Sequence, residues 1–167
     1  MELSKFFTEQ LDREAIASRK VIERVPEGQG SWKPHVRSME LGKLAALVAT
    51  MPGWLPLMID QDELDLDGAG ESFRTQPLET RAQLLASLEE GVARAHTSLQ
   101  NTTEEHLLTP WRLKMGGQIL MDGPRYIQIA EGALSHLAHH RGQLTVYLRL
   151  NEASVPAIYG PSADESH

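Results

Sequence analysis

The stretch His136-Leu-Ala-His-His-Arg-Gly-Gln143 lies in the last long segment with helical hydrophobic periodicity. His136 and His140 are four residues apart, so on an α-helix they stack on one face about one turn apart. Two imidazoles at that spacing can bind one divalent metal ion. At about 100° per residue, four apolar residues fall within a quarter turn of the pair, namely Ile129, Ala133, Leu144 and Tyr147. The spacing therefore predicts that the two histidines face the protein interior, with His139 on the flank and Arg141 further round.

A histidine pair on an inward face is either a ligand set or a hydrogen-bonded pair in the core. A chain with seven histidines in 167 residues contains such a spacing by chance often enough that the spacing alone does not decide between them. The rest of the sequence has to supply the context.

Composition limits the classes of protein. Of the 167 residues, 41% are hydrophobic and 23% charged, which is typical of one soluble globular domain covering residues 1–167. The net charge of −7 argues against a nucleic-acid-binding surface. We find no apolar run of the ~20 residues that a membrane span needs, and the first residues lack the apolar core of a signal peptide. We therefore predict a cytoplasmic protein that contacts neither membrane nor nucleic acid.

The chain contains no cysteine. It can form no disulfide, offers no thiolate to a metal and has no cysteine nucleophile. Any metal must be held by nitrogen and oxygen ligands, and any thiol chemistry must use a thiol carried by another molecule.

Helical periodicity marks four long segments. The predicted helices cover residues 2–24, 39–50, 77–100 and, after a cap at Asp122 or Gly123, the stretch to about Leu150. Pro77 suits the first position of the third helix, and Asn151 can end the fourth in the left-handed conformation. Glu14 falls on the apolar stripe of the first helix, where we expect its carboxylate to reach water at the boundary.

The connections carry weaker patterns. Residues 26–37 form a loop that contains Trp32, and residues 55–59 continue the second helix by a further turn. Residues 60–76 are acidic and then glycine-rich; their acid spacing does not fit a calcium loop, so we interpret them as a solvated connector.

A β-hairpin is predicted between the third and fourth helices. Residues 111–115 and 118–121 form its strands, and Gly116-Gly117 suits a two-residue turn with positive φ. An isolated hairpin of two such short strands is only marginally stable in water, so we expect it to pack against the helices. The predicted fold is all-α, a four-helix bundle with this small hairpin, and metal or ligand sites in such bundles lie in the core between facing helices.

The sequence resembles a known family in two dense stretches. Residues 136–150, HLAHHRGQLTVYLRL, followed by residues 155–165, VPAIYGPSADE, resemble the closing motif of the DinB-like (DinB/YfiT) superfamily. Residues 38–54, SMELGKLAALVATMPGW, resemble its second helix. The weaker matches are Trp32, Pro34 and Ser38 in the lead-in and the hairpin of residues 111–121.

The resemblance implies a four-helix bundle, often a homodimer, that holds divalent nickel or zinc on three residues, typically histidines. Two come from the last helix and match His136 and His140. The third is a histidine in helix two, within a GxLxxH pattern. Gly42-Lys-Leu-Ala-Ala-Leu47 follows that pattern except at its end, so Leu47 stands where the third ligand is expected. We expect Leu47 to lie close to both histidines.

Characterised relatives include transferases that use low-molecular-weight thiols such as bacillithiol, and mycothiol-dependent isomerases. The resemblance thus implies a metal-dependent enzyme of the thiol S-transferase or hydrolase type, acting on a small molecule. Its third ligand would be a substitute such as Glu14, His35 or a group from a partner chain. Two alternatives stay open: a degenerate bundle that binds a small apolar molecule or nothing, and a dimeric interaction module.

The last helix also predicts a homodimer. Leu134, Leu148 and Ala130 extend its apolar surface beyond the histidine face, and a helix that is apolar on two sides is usually buried on two sides. The alternative is that the hairpin and the C-terminal tail cover the second side.

Overall fold

The structure is a computed structural model that describes residues 2–68 and 78–166. It is mostly helical (59%) with a small three-stranded sheet. The elements are, in order, α1 (Leu3–Ile22), α2 (Leu41–Thr50), a 3₁₀ turn (Met51–Gly53), α3 (Trp54–Asp60), β1 (Glu63–Asp65), α4 (Arg81–Asn101), α5 (Glu104–Leu108), β2 (Pro110–Met115), β3 (Gln118–Pro124), α6 (Arg125–Gln128), a π-helix (Ile129–Ser135) and α7 (His136–Leu150).

Four helices enclose the main core. Helix α1 packs on α4, α4 on α2, α2 on α7, and α7 on α1, so the four close a ring. Each presents an apolar stripe to the middle, and burial of such stripes is the main stabilising term in a helical domain. A second apolar cluster lies beyond the end of α2, where Phe7, Leu55 and Trp111 pack together.

The stretch Leu41–Asp60 is long and apolar enough to pass for a membrane span, which the sequence reading did not anticipate. Its most apolar window is 61% buried inside the fold. Such burial is typical of a core helix, here α2, the 3₁₀ turn and α3 in succession.

Helix α4 begins at Arg81, four residues after the predicted start. Thr80 caps it, because its hydroxyl accepts a hydrogen bond from the Gln83 amide (3.2 Å) and the Gln83 side chain accepts one from the Thr80 amide (3.1 Å). This reciprocal capping box satisfies two backbone donors at the helix start. The proposed role of Pro77 lies outside the described residues.

The hairpin forms as predicted but with longer strands. Gly116 and Gly117 both have positive φ, of 56° and 77°, and Met115 pairs with Gln118 across the turn. A third strand, β1, pairs in parallel with β2. It lies in the stretch that we interpreted as a solvated connector, so that interpretation was wrong there. Three residues are too short to show the alternation that identifies a strand.

The fourth predicted helix is not one continuous α-helix. Residues 122–124 belong to β3, the helix begins at Arg125, and residues 129–135 adopt π-helical geometry. A π-helix hydrogen-bonds i to i+5 and so turns the following residues relative to α-helical phase. This shift determines which side chains share a face with His136.

The chain leaves α7 through a left-handed residue, but at Glu152 (φ 57°) and not at Asn151 (φ −101°). The tail beyond it is non-helical, as predicted. Two ion pairs attach the acidic end of this tail to the helices: Arg149 on α7 pairs with Asp164, and Arg24 just after α1 pairs with Glu165.

Candidate metal and ligand site

The two histidines of the closing motif lie at the start of α7 and converge. Their Nε2 atoms are 2.8 Å apart and their ring centroids 4.6 Å apart. Both side chains are half-buried, whereas the residues most deeply buried along α7 are Leu137, Arg141, Leu144 and Leu148. The prediction that the pair faces the interior is therefore corrected: His136 and His140 lie at the border of the buried face.

Gln143 orients this pair. Its amide oxygen accepts a hydrogen bond from His140 Nδ1 (2.9 Å), and its amide nitrogen donates to His139 Nε2 (3.0 Å). An imidazole that donates from Nδ1 keeps its lone pair on Nε2. Nε2 of His140 thus accepts the hydrogen bond from His136, and Gln143 fixes the orientation of the His140 ring.

Partial burial lowers the pKa of His140, and the neighbouring His136 and His139 add to that effect, whereas the hydrogen bond to Gln143 opposes it. A lowered pKa keeps the ring neutral at pH 7. Neutral imidazole is the form that binds a metal ion.

Trp54 also packs against His136, and its ring centroid lies 5.7 Å from the imidazole centroid. Trp54 opens α3, directly after the Met51–Gly53 turn. Leu47 is half-buried on α2, and α2 packs on α7. The leucine thus sits on the helix that the resemblance assigns to the third ligand.

The two other candidate third ligands within the chain, His35 and Glu14, already have hydrogen-bond or ion-pair partners. His35 is exposed in the loop before α2, where its Nδ1 accepts from the Arg37 amide at 3.2 Å. Glu14 is not at the boundary with water, as we expected, but only 8% exposed. Its carboxylate pairs with Arg141 at 2.5 Å. Within residues 2–68 and 78–166, no group of three His, Asp or Glu side chains is arranged to hold a metal ion.

The predicted position of Arg141, further round the helix from the inward face, was wrong. Its side chain is 1% exposed and lies in the core. Beyond the ion pair, its guanidinium donates to Glu14 O (3.1 Å) and to Ser18 Oγ (3.2 Å). The Tyr159 hydroxyl contacts the guanidinium and lies 2.8 Å from both carboxylate oxygens of Glu14. Burial, and then the hydrogen bond to Glu14, raise the pKa of Tyr159, so its hydroxyl stays protonated as a donor.

A cavity of about 420 Å³ adjoins the histidine pair. His136 and Trp54 form part of its wall, and α3, the sheet and the π-helix supply the rest. The described residues of its lining are apolar except for His136 and Glu131. This cavity could not be predicted from the sequence, because it depends on where the sheet lies against α3 and no periodic pattern encodes that arrangement.

Comparison with known proteins identifies the class of fold. No family model matches the chain. The chain is 25% identical over 160 residues to the uncharacterised protein YrdA of Bacillus subtilis (strain 168), covering 95% of this chain and 89% of that protein.

Three solved structures are similar over nearly the whole chain. A DinB-like protein of Bacillus cereus ATCC 10987 superposes with TM-score 0.69 at 19% identity, covering 92% of this chain and 95% of that one. The DinB-like YjoA of Bacillus subtilis gives 0.66 at 18%, covering 90% and 95%. A member of the DinB family from Exiguobacterium sibiricum 255-15 gives 0.66 at 19%, covering 91% and 93%. The chain therefore has the DinB-like fold, which confirms the resemblance at the level of the fold.

Proposed function

We propose that His136 and His140 bind one divalent metal ion, nickel or zinc, and that the protein is a metal-dependent enzyme of the thiol S-transferase or hydrolase type. The single observation that carries this proposal is the convergence of the two Nε2 atoms at 2.8 Å. Two nitrogens that each lie about 2.0–2.1 Å from one metal ion are about 2.9 Å apart when they meet it at a right angle, as in octahedral coordination, and about 3.3–3.4 Å apart at the tetrahedral angle that zinc prefers. The separation thus suits two neighbouring ligands of one ion.

The same separation also suits a hydrogen bond between neutral rings. The residues around the pair therefore decide whether the two nitrogens can also bind a metal ion. Gln143 already holds His140 with its Nε2 lone pair directed at His136. Binding requires that the Nε2 proton of His136 move to its own Nδ1, a tautomer change that needs no change of charge. The residues present therefore fit two of the ligands of such an ion.

When bound, the metal would lower the pKa of a coordinated water or hold the thiolate of a low-molecular-weight thiol. The chain's own contribution is to orient the ring of His140 through Gln143 and to shield one side of His136 with Trp54. With Leu47 at the expected third position, two imidazoles alone should bind weakly, and water or a partner group would complete the coordination.

Metal retention tests this proposal. Protein purified without a nickel column should bind added Zn²⁺ or Ni²⁺ with one site per chain, measured by calorimetry. His140→Ala should weaken that binding at least about tenfold, equivalent to about 1.4 kcal/mol, while the exposed neighbour His139→Ala should change it far less. Because wild-type binding is weak, a chelator should barely shift the melting temperature. If wild-type protein binds neither ion, or if His140→Ala leaves the affinity unchanged, the metal site does not exist.

One observation favours a second function. The apolar cavity beside His136 suits a bundle that has lost its metal and binds a small apolar molecule. Metal binding would not be needed for that function.

We further propose that the ring of α1, α4, α2 and α7 corresponds to the four-helix bundle of the DinB-like superfamily, and that the protein is cytoplasmic.

We also propose that the protein is a homodimer. Leu134 and Leu148 are buried within one chain, so they no longer argue for it. Val146 and Leu150, which are 57% and 54% exposed one turn apart on α7, are the better candidates. We expect a dimeric mass by light scattering at micromolar concentration, and a monomeric mass would contradict this.

A further inference from the structure

We propose that the cavity beside His136 binds a small molecule that joins an apolar body to an amine, with the ammonium group at Glu131. This inference deepens the proposed function, because it names the class of molecule that the site would take. It rests on the cavity and on the carboxylate of Glu131 in its lining, so it is tested without metal.

The body of the cavity is apolar and of the right size for a small organic molecule. Its volume is about 420 Å³, and small-molecule sites commonly measure about 300–1,000 Å³. Leu57, Leu113 and Met121 supply side chains from α3, β2 and β3. Transfer of an apolar group from water into such a space is favourable at about 25 cal/mol per Å² of buried surface.

The charge in the described lining of the cavity is negative only. Among the described residues that line it, Glu131 is the one that is charged, and none is a lysine or an arginine. Of these described lining residues it is also the one that is exposed, whereas Trp111 is buried, so the carboxylate marks the solvent side of the cavity. A ligand anion would face a carboxylate without a counter-charge, whereas an ammonium group would be paired.

The π-helix puts Glu131 in this position. In an α-helix, at about 3.6 residues per turn, residues five apart lie about 140° from each other. In a π-helix the hydrogen bond joins i to i+5, so residues five apart share roughly one face. Glu131 and His136 are five apart across this segment, and both line the cavity. A continuous α-helix would place the two on different sides.

Two of the three tryptophans can report binding of a ligand in the cavity. Trp54 and Trp111 line it, whereas Trp32, the third tryptophan, packs on Tyr147 with ring centroids 5.5 Å apart. Occupation of the cavity should therefore change the intrinsic tryptophan fluorescence.

The test uses three probes with one carbon skeleton: phenylbutylamine, phenylbutanol and phenylbutyrate. They are titrated into the full chain in the presence of a chelator, with tryptophan fluorescence as the readout. We expect the amine to bind at least about tenfold more tightly than the carboxylate, with the alcohol between them. Glu131→Gln should bring the affinity for the amine down to that for the alcohol, whereas Glu90→Gln, an exposed carboxylate on α4, should not.

A second pair of variants tests the location. A Cβ on Gly132 would lie 3.3 Å from Met58 Cε and 3.9 Å from Met121 Cε, and all three residues line the cavity. Gly132→Leu should therefore fill the space and abolish binding of all three probes. Gly142→Leu, on the same helical segment but with nothing within 4 Å, should leave binding intact.

Two results would overturn the inference. If the carboxylate binds as tightly as the amine, the role of Glu131 is wrong; if no probe binds, the cavity is not a ligand site. Neither result bears on metal binding by His136 and His140, which is measured separately by calorimetry.

Discussion

Replacing Arg141 with methionine is expected to lower the free energy of unfolding by about 3–5 kcal/mol. The variant leaves the carboxylate of Glu14 buried without its cation, since Glu14 is 8% exposed and its ion pair with Arg141 is 2.5 Å long. It also removes the donor to Glu14 O and Ser18 Oγ. Tyr159 would still donate to Glu14, but one neutral hydroxyl does not replace a guanidinium. Urea unfolding followed by circular dichroism measures the change.

The matched control is Arg149→Met. Arg149 also pairs with a carboxylate at 2.5 Å, that of Asp164, but its side chain is half-exposed. Solvent screens such a pair, and its loss should cost less than about 1 kcal/mol.

The double variant Glu14→Leu/Arg141→Met separates burial of charge from packing. Replacing a buried ion pair by apolar residues of similar volume is often neutral, so the double variant should recover most of the stability that Arg141→Met loses. A double variant less stable than either single variant would show that the network contributes more than its ion pair. A loss below about 1 kcal/mol in Arg141→Met would show that solvent reaches Glu14.

This ion pair also shows what sequence periodicity could and could not predict. Glu14 lies on the apolar stripe of α1, and the stripe correctly gave its orientation. A carboxylate in that position is buried only if a cation meets it, and its partner is 127 residues away. Helical phase counted from the histidine pair placed Arg141 further round the helix, away from the face that we took to be inward. Two features of the sequence could have predicted this pair. Glu14 is a charged residue on the apolar stripe of α1, and Arg141 is an arginine on another core helix with no predicted partner.

The helices themselves were predictable because their stripes are long. The positions of α1 and α2 and the glycine turn of the hairpin follow from local patterns, and the structure agrees with them. The π-helix and β1 do not follow, since neither changes the composition of its segment. For the site, spacing brought His136 and His140 together, but half-burial, the contact with Trp54 and the cavity depend on how α3 and the sheet pack.

The largest expected effect on binding comes from Leu47→His. Leu47 is half-buried on α2, on the helix that packs against α7, and the family pattern places a histidine there. We propose that it lies near His136 and His140. A third imidazole would complete a three-nitrogen set with open coordination positions. The affinity for Zn²⁺ or Ni²⁺ should rise at least about tenfold, worth about 1.4 kcal/mol. The packing lost with the half-buried leucine destabilises the metal-free and the metal-bound protein alike, so it lowers stability more than affinity.

Calorimetry on wild-type protein, Leu47→His and Lys43→His measures this effect. Lys43 is exposed one turn earlier on α2, so a histidine there adds an imidazole to the chain without adding one to the site. A gain in Leu47→His alone would support both the position of Leu47 and the loss of the third ligand. Equal gains in both variants would indicate nonspecific binding by added histidine. No gain in Leu47→His would mean that α2 presents a different residue to the pair, and a tightly bound ion in wild-type protein would mean that another group already serves as the third ligand.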